Sequence, residues 1–182
     1  MSSSPKHLNV GVVLFPIALP LDFVGPTTLF FTLEKNGVLS SDPPSHTLKT
    51  IYLGPTLDSI ELAGGMFLTP NKTFDEALKA EGEDKLDVIL IPGGRGARLG
   101  PGNAEARTFE ATAEHGVDWI PKARYVHSNK FWTASGVSAG MDMACAWIES
   151  LIGAKDTERV QAWAEYTAAG EDDDPWAAKH GL

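Results

Sequence analysis

The chain has 182 residues, a formal net charge of −9 at pH 7 and one cysteine, Cys145. The length is enough for one domain with a substantial core, and 43% hydrophobic with 21% charged residues is ordinary for a globular protein. The acidic charge disfavours nucleic acids and anionic membranes as partners. A single cysteine excludes a disulfide framework and a cysteine-based zinc site, and we therefore expect a reducing, cytoplasmic compartment.

The beginning of the chain alternates strand and helix patterns. After a leader expected to be disordered, residues 1–7, an apolar run predicts a buried strand over residues 8–15. Residues 21–26 predict a turn. Pro26 then opens a helix that ends at residues 36–37, because proline suits a first helical turn and glycine suits a helix end.

A second strand, a hairpin and a capped helix are predicted next. The strand covers residues 47–53. Two apolar pieces flank the pair Gly64-Gly65, which is typical of a hairpin turn. Thr73, with Glu76 three positions later, predicts a capping box at the start of a short helix that runs to about residue 81.

The most informative stretch is 87–94, Asp-Val-Ile-Leu-Ile-Pro-Gly-Gly. A short, fully apolar run of this kind predicts a buried parallel strand. The Pro-Gly-Gly that follows predicts a loop at the carboxyl end of the strand, where α/β proteins gather their ligands.

The rest of the chain predicts helices separated by short strands. The predicted elements are a helix over 104–115, strand pieces at 117–120, 124–126 and 130–135, and helices over 138–152 and 156–167. Because strands alternate with helices, we expect an α/β fold with a mainly parallel sheet. It forms a single domain over residues 8–176, followed by a tail, residues 177–182.

Cys145 is a candidate nucleophile because it is the only cysteine. A reactive thiol needs a helix N-terminus or a cationic neighbour. Cys145 instead lies in the middle of the predicted helix 138–152, on an apolar stripe with Met141 and Ile148. We therefore predict a buried, inert side chain that packs in the core.

The segment Gly136-Val-Ser138-Ala-Gly140 matches the G-x-S-x-G nucleophile elbow and stands between a strand and a helix. A serine hydrolase needs an acid and a histidine farther along the chain, and only His180 follows. The structural interpretation is that small residues let the helix pack tightly and that Ser138 caps its N-terminus. We favour that interpretation and keep the hydrolase as an alternative.

Asp22 follows the first strand and has two interpretations that stay open. It caps a helix or forms a turn, or it supplies a functional carboxylate near the strand ends where ligands collect. The five histidines show no metal-ligand spacing, and the chain contains neither a G-x-G-x-x-G motif nor a Walker loop. We expect no metal and no cofactor.

Taken together, five segments in order resemble the DJ-1/PfpI superfamily, also called ThiJ/PfpI or class I glutamine amidotransferase-like. The matching segments are residues 21–26, 87–94, 117–126, 132–142 and 174–176. The chain is most similar to the isonitrile hydratase-like branch, and the same module occurs in some AraC-type regulators. The resemblance covers residues 8–176 and implies a flavodoxin-like three-layer sandwich.

One departure from the superfamily concerns the reactive centre. In the superfamily, a strand-turn-helix unit with a cysteine at its elbow follows the Pro-Gly-Gly strand. Here no cysteine lies between Gly94 and Ser138, and a unit on the order of 30 residues is missing. The resemblance makes Asp22 a vestigial partner of that cysteine, and makes Gly93 and Gly94 the border of an oxyanion pocket. The sheet would be internally truncated, with an unpaired edge on the strand over 87–92.

The resemblance implies a lyase activity, the cysteine-dependent hydration of an isonitrile to an N-substituted formamide. We expect this chain to lack the activity, as a pseudoenzyme, because a carboxylate does not replace a thiolate nucleophile. The alternatives are a non-catalytic binding or regulatory module and a serine hydrolase that uses Ser138. The resemblance allows a small-molecule ligand and a homodimer as partners.

Overall fold

The computed structural model describes residues 4–95, 120, 122–176 and 179. The strands are β1 Lys6–Val13, β2 His46–Gly54, β3 Ile60–Glu61, β4 Phe67–Leu68, β5 Lys72–Thr73, β6 Val88–Leu90, β7 Tyr125–Ser128 and β8 Phe131–Ala134. The helices are α1 Leu21–Phe31, α2 Phe74–Leu78, α3 Ala139–Ile152 and α4 Ala154–Ala164. None of the helices in these ranges is long and apolar enough to cross a membrane.

The central sheet has the strand order β5-β2-β1-β6, and its neighbouring strands are parallel. β1 pairs with β2 over its whole length and with β6 through Val10, Gly11 and Val12. The pairs β3-β4 and β7-β8 are separate antiparallel two-stranded sheets. The prediction of an α/β fold with a mainly parallel sheet is confirmed.

Apolar side chains cover the central sheet on both faces. On one face, Val10 packs in a cluster with Leu29 of α1 and Ile148 of α3. On the other face, Ile51 of β2 packs with Ala77 of α2. Because β-strand side chains alternate between faces, one strand supplies residues to both layers. The resulting arrangement is a flavodoxin-like sandwich.

Asn9 fixes the chain segment that leads into β6. It is a buried polar residue of β1, 3% exposed. Its side-chain Nδ2 donates to the carbonyl oxygens of Glu83 and Lys85, at 2.7 and 2.9 Å. Its backbone N–H donates to the Asp87 carboxylate at 2.9 Å, and its carbonyl accepts from the Asp87 N–H at 3.0 Å. These bonds set where β6 begins to pair with β1.

Two local predictions are confirmed. β3 and β4 form the expected hairpin, and both turn glycines have positive φ, 80° at Gly64 and 77° at Gly65. Thr73 and Glu76 form the capping box at the start of α2, although that helix ends at Leu78, earlier than predicted. The predicted helix over 104–115 and the piece over 117–119 lie outside the described residues.

The predicted start of α1 at Pro26 is wrong. The helix begins at Leu21, and Pro26 lies inside it. A proline inside a helix removes one N–H donor, which in a regular helix would bond the carbonyl of Asp22. Buried apolar side chains on both sides of the proline, Phe23 and Leu29, hold the helix against the sheet in spite of that loss.

The prediction that the apolar strand over 87–92 is fully buried is also wrong. Among the described residues β6 pairs only with β1 and therefore lies at an edge of the central sheet. The side chains of Ile89 and Ile91 are 59% and 69% exposed. Tertiary placement decides this exposure, since a fully apolar sequence is equally typical of a central strand.

The Asn9 hydrogen bonds predict that Asn9→Ala destabilises the protein by about 1–3 kcal/mol, because two carbonyl acceptors lose a buried donor. Urea unfolding followed by circular dichroism measures the change. Asn36→Ala, at an exposed position, is the control and should change stability by less than about 0.5 kcal/mol. Equal effects of the two substitutions would contradict a structural role for Asn9.

Candidate functional site

Asp22 and the loop after β6 form the centre of the candidate site. Asp22 lies in the first turn of α1, where the helix dipole favours a negative charge. Its Oδ2 accepts a hydrogen bond from the backbone N–H of Gly93 at 2.8 Å. The bond joins the segment that follows β1 to the segment that follows β6, so the site lies at the carboxyl ends of two adjacent parallel strands.

The segment over residues 17–19 holds the β6 loop in place from the other side. The Leu19 N–H donates to the Gly93 carbonyl at 3.0 Å, and Ala18 forms an antiparallel bridge with Gly94. Ile17 has a φ of 62°, an uncommon conformation for a β-branched residue, and its N–H donates to Glu61 of β3 at 3.0 Å. The hairpin β3-β4 thus supports the strained turn that faces the two glycines.

Both glycines are closely approached by other atoms, Gly93 by the Asp22 carboxylate and Gly94 by the backbone of residues 17–19. A Cβ on Gly93 would lie 2.7 Å from Oδ2 of Asp22. A Cβ on Gly94 would lie 2.6 Å from the Ile17 carbonyl oxygen, and Gly94 also has a φ of 134°. A side chain at either position would therefore push the two strand-end loops apart.

The geometry brings Asp22 together with the pair Gly93-Gly94, which lies in a separate segment of the sequence. Asp22 offers a carboxylate that is able to accept or give a proton. The Gly93 N–H already donates to that carboxylate, so it is engaged within the site rather than directed at a developing oxyanion. Among the described residues, the arrangement therefore supplies proton transfer and hydrogen bonding but no nucleophile.

Cys145 lies in the core of the protein, as predicted from its apolar stripe. It is 2% exposed and packs in the same cluster as Leu29 and Phe30 of α1 and Ile148 of α3. Burial raises the pKa of the Cys145 thiol to about 11, against an ordinary value of 9.0. The thiol is therefore protonated and shielded at neutral pH.

Ser138 stands at the N-terminus of α3 but does not cap it in the expected way. It occupies the N-cap position with helical backbone angles, φ −72° and ψ −28°, and makes no side-chain cap hydrogen bond. Its Oγ instead accepts a hydrogen bond from Nη2 of Arg124 at 2.9 Å. The predicted cap is wrong in this respect, because tertiary structure brings a stronger, charged donor to the hydroxyl.

The contact with Arg124 bears on the hydrolase alternative. A serine nucleophile needs a neighbouring base to take its proton. An arginine guanidinium stays protonated and offers donors only. The observed partner of Ser138 is therefore of the wrong chemical type to activate it.

A buried ion pair that the sequence analysis missed joins the C-terminal segments. Nε of Arg124 donates to Oδ2 of Asp142, and the two residues are only 8% and 1% exposed. Oδ1 of Asp142 accepts from the Tyr166 hydroxyl and from the Ala169 N–H. The signal in the sequence that could have revealed this pair is Asp142, a carboxylate next to the apolar stripe of α3. A buried charge requires a partner.

Known proteins resemble this chain in sequence and in fold. No protein-family model matches the chain. The chain is 24% identical to an isonitrile hydratase of Pseudomonas putida, over 89% of this chain and 80% of that protein. Two solved structures share the fold. A ThiJ/PfpI family protein from Pseudomonas syringae has a TM-score of 0.68 and 19% identity, covering 91% of this chain and 78% of that one. Drosophila melanogaster DJ-1beta has a TM-score of 0.60 and 14% identity, covering 89% of this chain and 100% of that one.

The chain therefore shares the fold of ThiJ/PfpI and DJ-1 proteins. The structural likenesses establish the fold, and the sequence relationship connects the chain to an isonitrile hydratase. Within the described residues, no group of three or more His, Cys, Asp or Glu side chains is arranged to hold a metal ion.

The glycine packing predicts that Gly93→Ala destabilises the protein by about 1–3 kcal/mol, because the new methyl group would meet the Asp22 carboxylate. Gly136→Ala is the matched control, since nothing lies within 4 Å of the Cβ it would add. Urea unfolding measures both. In an Asp22→Ala background, Gly93→Ala should lower the free energy of unfolding by less than it does in the wild-type protein. An unchanged effect would show that the new methyl group does not clash with Asp22.

Burial of Cys145 predicts slow reaction of its thiol with a bulky reagent in the native protein and complete reaction after denaturation. Ser150→Cys adds an exposed thiol on the same helix and should react at once with a stoichiometry of one. The absorbance of the thiolate that the reagent releases measures the rate of both reactions. Fast stoichiometric labelling of the unsubstituted protein would contradict the assignment of Cys145 to the core.

The Asp142 contacts predict an alkaline loss of stability through Tyr166. Desolvation, followed by the hydrogen bond to Asp142, raises the pKa of Tyr166 above its usual value of 10.0. A raised folded-state pKa gives stability that is present below pH 10 and is lost as the pH rises beyond it. Tyr166→Phe should lose less unfolding free energy than wild type on going above pH 10. Urea unfolding measures the free energy of unfolding of both proteins. The same pH dependence in wild type and in Tyr166→Phe would exclude a contribution from Tyr166.

Proposed function

We propose that this chain is a pseudoenzyme of the isonitrile hydratase type, a non-catalytic small-molecule-binding or regulatory module that keeps the site scaffold without its nucleophile. The observation that carries the proposal is the position of its one cysteine. Cys145 is 2% exposed in the core, whereas the candidate site is built from Asp22 and the loop after β6. The thiol and the carboxylate belong to different parts of the fold.

The chemistry of hydration supports the proposal. In a cysteine-dependent lyase, a thiolate attacks the electrophilic carbon before a proton is delivered to the adduct. Asp22 is suited to the second task only. The pKa of Cys145, raised to about 11, leaves very little thiolate at neutral pH, and burial keeps a substrate away from it.

The length of the chain also supports the loss of a segment. The alignment with the Pseudomonas putida isonitrile hydratase spans 202 positions, whereas the chain has 182 residues and 89% of them take part. The chain therefore carries gaps against that relative. Loss of one strand-helix unit next to β6 would agree both with these gaps and with the exposed edge of β6.

The retained site is suited to holding a small polar molecule. Asp22 accepts hydrogen bonds at the carboxyl ends of β1 and β6, where ligands of parallel sheets bind. Glycine backbones allow a ligand to approach the loop closely. A protein with a net charge of −9 and one buried thiol suits a reducing cytoplasm and a neutral ligand.

The assay for this function uses a simple alkyl isonitrile and follows the formamide product by NMR, with the Pseudomonas putida isonitrile hydratase as the positive control. We expect no product above background from this chain, because no thiolate is available at the site. Turnover that disappears in Asp22→Asn would overturn the proposal.

A second arm of the experiment tests whether the site still binds. The ¹⁵N–¹H signals of Gly93 and Gly94 are followed while the isonitrile or the formamide is added. The proposal expects these signals to shift in the wild-type chain and to stay in place in Asp22→Ala. Absence of any shift, together with absence of turnover, would reject the binding module.

A further inference from the structure

A cavity of about 300 Å³ lies at the end of the central sheet opposite the candidate site. Its wall includes Pro5, which precedes β1, and Thr47, the second residue of β2. Because these strands are parallel, the cavity lies beyond their amino ends, whereas Asp22 and Gly93 lie beyond the carboxyl ends of β1 and β6. β1 has eight residues, which separates the two places by roughly 25 Å. The cavity is therefore a second place at which a ligand has room to bind.

The walls of the cavity are mainly apolar, and backbone hydrogen bonds hold them in place. Leu33 and Leu39 are 1% and 6% exposed, so they join the cavity to the core. The Leu39 N–H donates to the Thr32 carbonyl at 3.0 Å. The Leu48 N–H donates to the Leu33 carbonyl, also at 3.0 Å. The proline pair at 43–44 adds wall surface that has no N–H donor. The cavity is therefore preformed, which lowers the cost of binding a small apolar group.

Two consecutive residues of opposite charge, Glu34 and Lys35, also line the cavity. Glu34 is half-buried and Lys35 is exposed. Among the described residues, neither side chain forms a hydrogen bond or a salt bridge. An acidic side chain that is partly withdrawn from water gains from a cationic partner that replaces the lost hydration. The cavity also adjoins the carboxyl-terminal end of α1, where the helix dipole favours a positive charge.

We propose that this cavity binds a free amino acid with an apolar side chain. Glu34 binds the ammonium group of the ligand, and Lys35 binds its carboxylate. The apolar side chain of the ligand packs against Leu33 and Leu39. A chain with a net charge of −9 repels an anionic ligand but not a ligand whose two charges cancel. A volume of about 300 Å³ is at the lower end for ligand sites and suits one amino acid rather than a peptide.

Three ligands of similar shape test the proposal on the unsubstituted full chain. L-leucine carries both charges, 3-methylbutylammonium lacks the carboxylate, and 4-methylpentanoate lacks the ammonium group. The ¹⁵N–¹H signals of Leu39 and Ser40 are followed in each titration. We expect saturable shifts with leucine and dissociation constants at least about 10-fold larger for the other two ligands. An analogue that binds as tightly as leucine, no saturable shift with leucine, or shifts confined to Gly93 and Gly94 would overturn the proposal.

Two substitutions test which residue recognises which charge of the ligand. Glu34→Gln should weaken leucine binding at least about 10-fold and leave the binding of 4-methylpentanoate unchanged. Lys35→Gln should also weaken leucine binding but leave the binding of 3-methylbutylammonium unchanged. The controls Glu149→Gln and Lys155→Gln make the same changes at exposed positions of α3 and α4 and should bind leucine like the wild type. Equal losses of leucine affinity in a control and in its matched variant would reject the proposed contacts.

Discussion

The pairing of β6 with β1 is the constraint on which the candidate site depends. Only Val10, Gly11 and Val12 of β1 pair with β6, and Asn9 adds hydrogen bonds to the segment that leads into the strand. This short pairing brings the loop after β6 to the start of α1. A shift of one residue would move every β6 side chain to the opposite face and would carry Gly93 away from Asp22.

The candidate site gathers several constrained backbone and side-chain features in one place. The Asp22–Gly93 hydrogen bond, the positive φ of Gly94 and the strained Ile17 all occur where the loops meet, and such features are typical of functional positions. The one thiol of the chain lies instead on α3, in the core cluster that α3 shares with α1 and β1. A carboxylate positioned away from the one thiol is the arrangement that the proposed pseudoenzyme requires.

A buried ion pair connects the segments of the C-terminal half of the fold. The buried pair of Arg124 and Asp142 connects the start of β7 to α3 and, through Tyr166, to the segment after α4. Breaking such a pair from one side leaves an uncompensated buried charge, so the three segments depend on one another.

The sequence by itself determined the features that depend on neighbours along the chain. The capping box of Thr73 and Glu76, the Gly64-Gly65 hairpin and the burial of Cys145 follow from spacing and periodicity, and the alternation of elements gave the α/β class. Tertiary structure alone decided the exposure of Ile89 and Ile91 on β6, the bond between Gly93 and Asp22, and the contact of Ser138 with Arg124 in place of a helix cap. These features join residues far apart in sequence. Their geometry is set by how strands and helices pack in the core, which no local pattern encodes.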